Sequence, residues 1–311
     1  MTTLAYVAVS DPPAVKATPA QWLIRQSGIR NRLIPVGKFD HWVTHPRSPY
    51  SGRPAKRLLR RVDVSRADVA GLPVYEVTPR LSDTGPLNGH LVYLHGGAYV
   101  MDFIPGVHWP VVARLACILR RSITVPIYPL APEYSYRAVF PFLLGVYQGI
   151  VEHHPPDSVV IAGDSAGGGM ALALCHALRT ADLPQPRDAL LLSPWMDIAF
   201  SDRAVDAVAQ IDPLLNVDHL RTAGLRYADG DPLDSPLVSP GAGSLAGLPR
   251  LTIFTGTHDV LNPDTRAFRA RAALEGVDVG WHERENGVHC WMFLPGQASR
   301  EAFDIMRRTV E

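Results

Sequence analysis

The chain has 311 residues, of which 47% are apolar and 19% are charged, with 30 Lys and Arg against 30 Asp and Glu. This composition predicts a globular protein with a sizeable core and excludes a wholly disordered chain. Because the charges balance, nucleic acid or an anionic membrane is not an expected partner. The 3 cysteines lie far apart, which argues against a disulfide framework and fits a reducing compartment.

The beginning of the chain carries only a short apolar run, residues 4–9, with no basic residue before it. This pattern does not match a secretory signal, and no apolar stretch is long enough to span a membrane. We therefore expect a cytoplasmic protein with no integral membrane association.

Runs of apolar and β-branched residues recur along the chain and predict eight strands. They cover residues 57–64, 73–77, 90–94, 123–128, 159–162, 189–192, 251–255 and 277–283. Short turn-rich stretches separate the first strands, whereas helix-length segments follow the later ones, at residues 108–119, 136–153, 166–179, 264–274 and 299–310. This order predicts an α/β fold with an eight-stranded, mostly parallel sheet, antiparallel at its start, and with helices on both faces.

Two segments interrupt this alternation, residues 1–50 and residues 195–240, and they divide off a core of residues 51–194 and 241–311. Ligands of such sheets bind beyond the carboxyl ends of the strands, so both segments are expected to form a cap there. Padding that merely covers the surface is the alternative. The candidates for the inner wall of the substrate pocket are the aromatic residues Trp22, Phe39, Trp42 and Trp195.

The motif Gly163-Asp164-Ser165-Ala166-Gly167 lies between a predicted strand and a predicted helix. A serine on so sharp a turn needs small neighbours, and the turn presents its hydroxyl at the helix N-terminus. Ser165 is therefore the candidate nucleophile. A glycine-rich turn with an ordinary surface serine is the alternative.

A second glycine-rich loop, His95-Gly96-Gly97-Ala98, directly follows the strand predicted at residues 90–94. A tetrahedral oxyanion needs backbone N–H donors that converge from two loops, and glycines leave such amides accessible. The candidate oxyanion-hole residues are Gly96, Gly97, Ala98 and Ala166. A tight turn with a loop histidine is the alternative.

A serine nucleophile needs a carboxylate and a histidine from the ends of later strands. Asp259 follows the strand at residues 251–255 and His289 follows the strand at residues 277–283, which makes them the candidate acid and base. Four neighbours compete for a role: Asp264 fits a helix N-terminus better, His258 is too close to Asp259, His282 lies inside a strand, and Cys290 would need a separate base to act as a nucleophile.

The chain resembles the bacterial hormone-sensitive-lipase family of esterases from about residue 90 onward. The resemblance rests on the two loops above and on Tyr128-Pro129-Leu130-Ala131-Pro132-Glu133, Ser193-Pro194-Trp195-Met196-Asp197, Gly256-Thr257-His258-Asp259-Val260-Leu261 and Gly287-Val288-His289. It implies an α/β-hydrolase fold with a helical cap, nucleophile Ser165, acid Asp259, base His289, and oxyanion amides at Gly97, Ala98 and Ala166. The chain departs from the family at Ala98, Pro129 and Gly169, where the family usually has glycine, arginine and asparagine.

Together the residues and the resemblance predict a serine hydrolase that cleaves short-chain carboxylic esters through a Ser-His-Asp triad and an acyl-enzyme. The expected partner is a small-molecule ester, and no metal or cofactor is expected. A homodimer is a possible oligomeric state. Hydrolysis of an N-acetyl amide or a lactone by the same triad is the first alternative. A non-catalytic small-molecule receptor on the same fold is the second, and the presence of His289 argues against it.

Overall fold

The computed structural model describes residues 54–81 and 85–311, together with residues 39, 41, 44 and 52. Eight strands form one sheet in the order β1-β2-β4-β3-β5-β6-β7-β8. The first pairs, β1 with β2 and β2 with β4, are antiparallel, and the other pairs are parallel. The strands are β1 Val62–Val69, β2 Leu72–Pro79, β3 His90–Leu94, β4 Ser122–Pro126, β5 Val159–Asp164, β6 Asp188–Leu192, β7 Arg250–His258 and β8 Val279–Val288. The predicted mostly parallel sheet is confirmed.

Helices follow most of the strands, as the spacing of the sequence predicts. They are α1 Pro105–Leu119, α2 Tyr136–Val151, α3 Ala166–Thr180, α4 Ala204–Ala209, α5 Val217–Ala228, α6 Asn262–Leu274 and α7 Gln297–Val310. Both α4 and α5 belong to the segment of residues 195–240, between β6 and β7.

The side chains of the central strands alternate between two hydrophobic clusters, one on each face of the sheet. In β3, Leu91 and Tyr93 pack into the cluster that contains Trp109 of α1 and Phe303 of α7. Val92 and Leu94 pack into the cluster on the opposite face, which holds α2, α3 and α6. Because both faces are covered, all six residues of β5 are buried. This burial explains why the central strands read as continuous apolar runs.

The first strand lies further along the chain than predicted. The sequence predicts a strand at residues 57–64, but Leu58–Arg60 forms a single 3-10 turn and β1 covers Val62–Val69. Within β1 only Val62 is buried, because the strand pairs with β2 alone and forms the edge of the sheet. An edge strand that faces solvent carries little apolar periodicity, so its position could not be determined from the pattern.

The last helix packs as its periodicity predicts. Phe303, Met306 and Val310 are buried on one face of α7, and the guanidinium of Arg114 lies 3.7 Å from the centre of the Phe303 ring. In the part of the chain that the structure describes, no helix combines the length and the apolar character needed to cross a bilayer.

Candidate active site

Ser165 occupies the turn between β5 and α3 at the carboxyl edge of the sheet. Its backbone is strained, with φ 56° and ψ −124°. A Cβ on Gly163 would lie 2.1 Å from the Gly167 carbonyl oxygen, and one on Gly167 would lie 2.1 Å from that of Leu94. The glycines of the motif are therefore required by close backbone contacts. The Ser165 N–H donates to the carbonyl of Leu192 at 2.8 Å, which anchors the turn to β6.

Asp259 and His289 meet at the same edge, directly after β7 and β8. His289 Nδ1 lies 2.8 Å from Asp259 Oδ2, and Oδ1 of the same carboxylate accepts the N–H of Leu261 at 3.0 Å. Asp259 is fully buried. With Nδ1 donating to the carboxylate, Nε2 is the ring nitrogen that can exchange a proton with another group.

The pKa of His289 reflects two opposing effects. Burial lowers the pKa, but the charge of Asp259, assisted by the Cys290 sulfur, raises it well above its ordinary value. The raised pKa means that Asp259 stabilises the protonated form of His289. This protonated form is the one that a histidine adopts after it takes a proton from a serine.

Ser165 and His289 line one cavity of about 190 Å³, together with Gly97 and Ala98. Most of its wall is apolar and comes from Phe39, Met101, Ile104, Val107, Leu214, Leu215, Leu220 and Phe293. The structure thus brings the predicted nucleophile, base and oxyanion loop to one small, largely apolar space, which is the arrangement that acyl transfer requires.

Gly96 has a different role from the one predicted. Its N–H donates to Asp164 Oδ1 at 3.0 Å, so this amide is occupied and cannot bind an oxyanion. The same oxygen accepts the hydroxyl of Tyr93 at 2.6 Å. Asp164 therefore fixes the glycine-rich loop to the turn that carries Ser165, an effect of a side chain 68 residues away that sequence spacing could not predict.

The other three candidates for the oxyanion hole, Gly97, Ala98 and Ala166, lie close to Ser165 or line its cavity. Gly97 and Ala98 line the cavity, and Ala166 follows Ser165 as the first residue of α3. Ala98 has a φ of 52°, in the left-handed region that favours glycine. The chain therefore keeps the backbone conformation of a glycine loop at the position where it departs from the family.

The four aromatic pocket candidates have different outcomes. Phe39 lines the cavity and its ring stacks on His219 at 4.6 Å between centres. Trp22 and Trp42 lie outside the described residues. Trp195 is not a wall of this cavity: its ring is buried in the core against Tyr99, 5.3 Å between centres.

The burial of Trp195 has a backbone cause. Its N–H donates to the Ser165 carbonyl at 3.0 Å, and its own carbonyl oxygen lies 2.1 Å from where a Cβ on Gly169 would be. The chain after β6 thus runs tightly along α3, which directs the indole into the core. The same contact leaves no room at Gly169 for the asparagine that the family usually has.

The structure also shows where the four residues lie that competed for the roles of nucleophile, acid and base. Asp264 lies in the first turn of α6, and its carboxylate accepts the Asp202 N–H at 3.2 Å. The ring of His282, within β8, stacks on Phe254. His258 is buried at the end of β7, and Cys290 lines the cavity beside His289.

Sequence reasoning missed the cavity residues of the segment at 195–240. They are Leu214, Leu215, Asn216, His219 and Leu220, and they approach the site from the loop before α5 and from its first turns. The apolar character of the three leucines was visible in the sequence, but the direction in which these side chains point depends on how the segment docks on the sheet.

This carboxyl edge, with its strand order and its serine turn, defines an α/β hydrolase. A family described as "alpha/beta hydrolase fold" matches residues 91–293. An acetyl-hydrolase of Streptomyces hygroscopicus is 35% identical over 65% of this chain and 67% of its own. The structure of EstE5 soaked with p-nitrophenyl butyrate matches with a TM-score of 0.77 and 25% identity, over 94% of this chain and 99% of the other.

The fold also matches an esterase of the bacterial hormone-sensitive-lipase family, with a TM-score of 0.78 and 24% identity, over 96% of this chain and 100% of that one. The chain belongs to the α/β-hydrolase family, which confirms at that level the family predicted from its motifs. The expected enzyme class, carboxylic ester hydrolase, is confirmed by these relatives at the level of the family.

Proposed function

We propose that the chain hydrolyses short-chain carboxylic esters with Ser165 as nucleophile, His289 as general base and Asp259 as the residue that orients the histidine. The observation that carries the proposal is the shared cavity: Ser165 and His289 both line it, and His289 Nδ1 lies 2.8 Å from Asp259 Oδ2. A nucleophile, a base and a group that orients the base are the parts that acyl transfer needs.

In the first step Ser165 Oγ attacks the ester carbonyl carbon while His289 Nε2 accepts the hydroxyl proton. The carbonyl electrons move to the oxygen, and the amides of Gly97, Ala98 and Ala166 donate to the resulting oxyanion. When the tetrahedral intermediate collapses, His289 gives its proton to the leaving alcohol and Ser165 stays acylated.

Water completes the cycle by the same route. His289 takes a proton from the water as its oxygen attacks the acyl-enzyme, and the proton then returns to Ser165 as the acid leaves. Throughout both steps the buried Asp259 keeps the imidazole in one tautomer and stabilises its protonated form. All protons are exchanged between the substrate, water, Ser165 and His289.

The size and lining of the cavity support a short acyl chain. A small, largely apolar cavity of about 190 Å³ favours a short acyl chain, because each buried methylene contributes about 0.8 kcal/mol only while room remains. Leu214, Leu215 and Leu220, from the segment at 195–240, line the cavity, which supports a role of this segment as a cap. Affinity therefore rises with chain length and then falls.

Hydrolysis of an N-acetyl amide is the second candidate, because a relative is named an acetyl-hydrolase and an acetyl group is itself a short acyl chain. The chemistry differs only in the leaving group, which is an amine that His289 must protonate. Lactones would use the same residues. A non-catalytic receptor is disfavoured by the hydrogen bond between His289 Nδ1 and the Asp259 carboxylate, which binding alone does not require.

A substrate panel tests the proposal: p-nitrophenyl esters from two to sixteen carbons, N-acetyl amines and lactones, each with the wild-type protein and with Ser165→Ala. We expect kcat/KM to peak at roughly two to eight acyl carbons. A peak at sixteen carbons, or activation above the solubility limit of the ester, would replace this proposal with a lipase. A preference for N-acetyl amines would favour the second candidate.

A further inference from the structure

Asp212 is a buried carboxylate beside the candidate site that has no part in the chemistry proposed above. It lies between α4 and α5 and is fully buried. Its Oδ1 accepts two amides of its own segment, from Leu214 at 2.7 Å and Leu215 at 3.0 Å. Its Oδ2 accepts the N–H of Val260 at 2.9 Å, a residue 48 positions further along the chain.

The local bonds alone are an ordinary turn. An aspartate that accepts the amides two and three residues ahead forms a motif common in exposed loops, and one oxygen is enough for it. The bond to Val260 is different, because Val260 directly follows Asp259 in the chain. One carboxylate thus holds two cavity-lining residues on one oxygen and the loop of the candidate acid on the other.

A buried negative charge at Asp212 is electrostatically unfavourable, which argues against a purely structural role for this residue. Burial and the neighbouring charge of Asp259 raise the pKa of Asp212 to about 6, since the two carboxylates repel each other. The backbone amides of Leu214, Leu215 and Val260 act against this effect. A position that needed only a turn would be served by serine, which carries no charge.

We infer that Asp212 is a positioning residue that fixes the loop of Asp259 to the cavity wall formed by Leu214 and Leu215. The inference rests on the function proposed above. Leu261 and Asn262 continue this loop into α6, so the Val260 bond adds a fixed point for the Asp259 carboxylate between the end of β7 and the start of the helix. A displaced carboxylate no longer holds the imidazole of His289 for proton transfer.

The substitution Asp212→Asn separates the two sides of this link. The remaining oxygen accepts from the two donors Leu214 and Leu215, which leaves the amide nitrogen against the Val260 N–H, donor against donor. We expect kcat for p-nitrophenyl acetate to fall at least about tenfold while KM stays within about twofold, because a small displacement of a catalytic group acts on turnover. The acyl-length preference should not change.

Proton NMR gives a readout that a merely structural role would not move. The His289 Nδ1 proton bound to Asp259 is expected far downfield in the wild-type protein, and Asp212→Asn should shift or broaden it. The matched control is Asp206→Asn, an exposed aspartate of the same segment in α4, which should change neither the signal nor kcat.

If Asp212→Asn yields too little folded protein, the same measurements are made on Asp212→Ser. The serine hydroxyl keeps the local turn and cannot reach Val260. An unchanged downfield signal and an unchanged kcat in the folded variant would overturn the inference. A wild-type protein that hydrolyses no ester, amide or lactone would overturn the proposed function instead. The NMR comparison still tests the positioning role in that case, so the two failures are distinguishable.

Discussion

Two regions meet at the cavity, and they are built differently. The sheet edge supplies Ser165, Asp259 and His289, each directly after a strand whose position is fixed by parallel pairing. The segment at 195–240 supplies a wall from a loop and the first turns of α5. The difference teaches that the groups proposed to carry out the chemistry come from regular backbone, whereas the size of the substrate depends on how a separate segment docks.

The largest effect is expected at the sheet edge. Replacing Ser165 with alanine removes the proposed covalent centre, and kcat should fall on the order of a million-fold if the serine acts as in serine proteases. Because the turn is fixed by backbone contacts, circular dichroism should not change. The matched control is Ser201→Ala, an exposed serine of the other region, which should retain wild-type turnover. Retention of more than a few per cent of activity by Ser165→Ala would contradict the assignment.

Asp259→Asn should have the next largest effect. An asparagine there favours the wrong tautomer of His289, and kcat should fall on the order of ten thousand-fold, as in the protease triad. Steady-state rates of Asp259→Asn and of Asp278→Asn, an exposed aspartate just before β8, provide the comparison. Equal losses in both variants would show that general electrostatics, and not the orientation of His289, determines the rate.

The pH dependence reports on the same pair of residues, His289 and Asp259. His289 must be neutral to accept a proton, and Asp259 raises its pKa above the ordinary value against the effect of burial. Therefore kcat/KM should fall about tenfold per pH unit as the pH drops below an apparent pKa higher than about 6.5, and it should be flat above that pKa. Rates between pH 5 and 9 test this; in Asp259→Asn the residual activity should show the limb at lower pH. A flat profile would exclude a histidine base.

The cap segment should show the smallest effect, and one of a different kind. Leu214→Ala enlarges the cavity, so longer acyl chains should gain about fourfold in kcat/KM per additional methylene that can be buried. Turnover of the acetate ester should stay within a few fold. The acyl series is measured beside Leu225→Ala, an exposed leucine of α5 that is 57% accessible. If Leu214→Ala lowered kcat/KM greatly for every ester and left the acyl-length preference unchanged, the segment at 195–240 would not determine the size of the substrate.

The sequence predicts the sheet edge well, for a physical reason. Ser165, Asp259 and His289 each follow a buried strand, and parallel strands end at one edge, so their meeting follows from the pattern of strands. What failed depends on contacts between residues distant in sequence: the Gly96 N–H is occupied by the Asp164 side chain, and backbone contacts with α3 direct Trp195 into the core. Asp212 gave no signal in the sequence, because its partner Val260 lies 48 residues further along the chain, in the loop between β7 and α6.

The central claim is that Ser165 is a nucleophile activated by His289, and covalent labelling tests it most directly. The wild-type protein is treated with a fluorophosphonate probe, and the modified peptide is identified by mass spectrometry. We predict one adduct, on Ser165, that is absent in Ser165→Ala and forms far more slowly in His289→Gln. An unlabelled wild-type protein, or an adduct on another residue such as Cys290, would contradict the account.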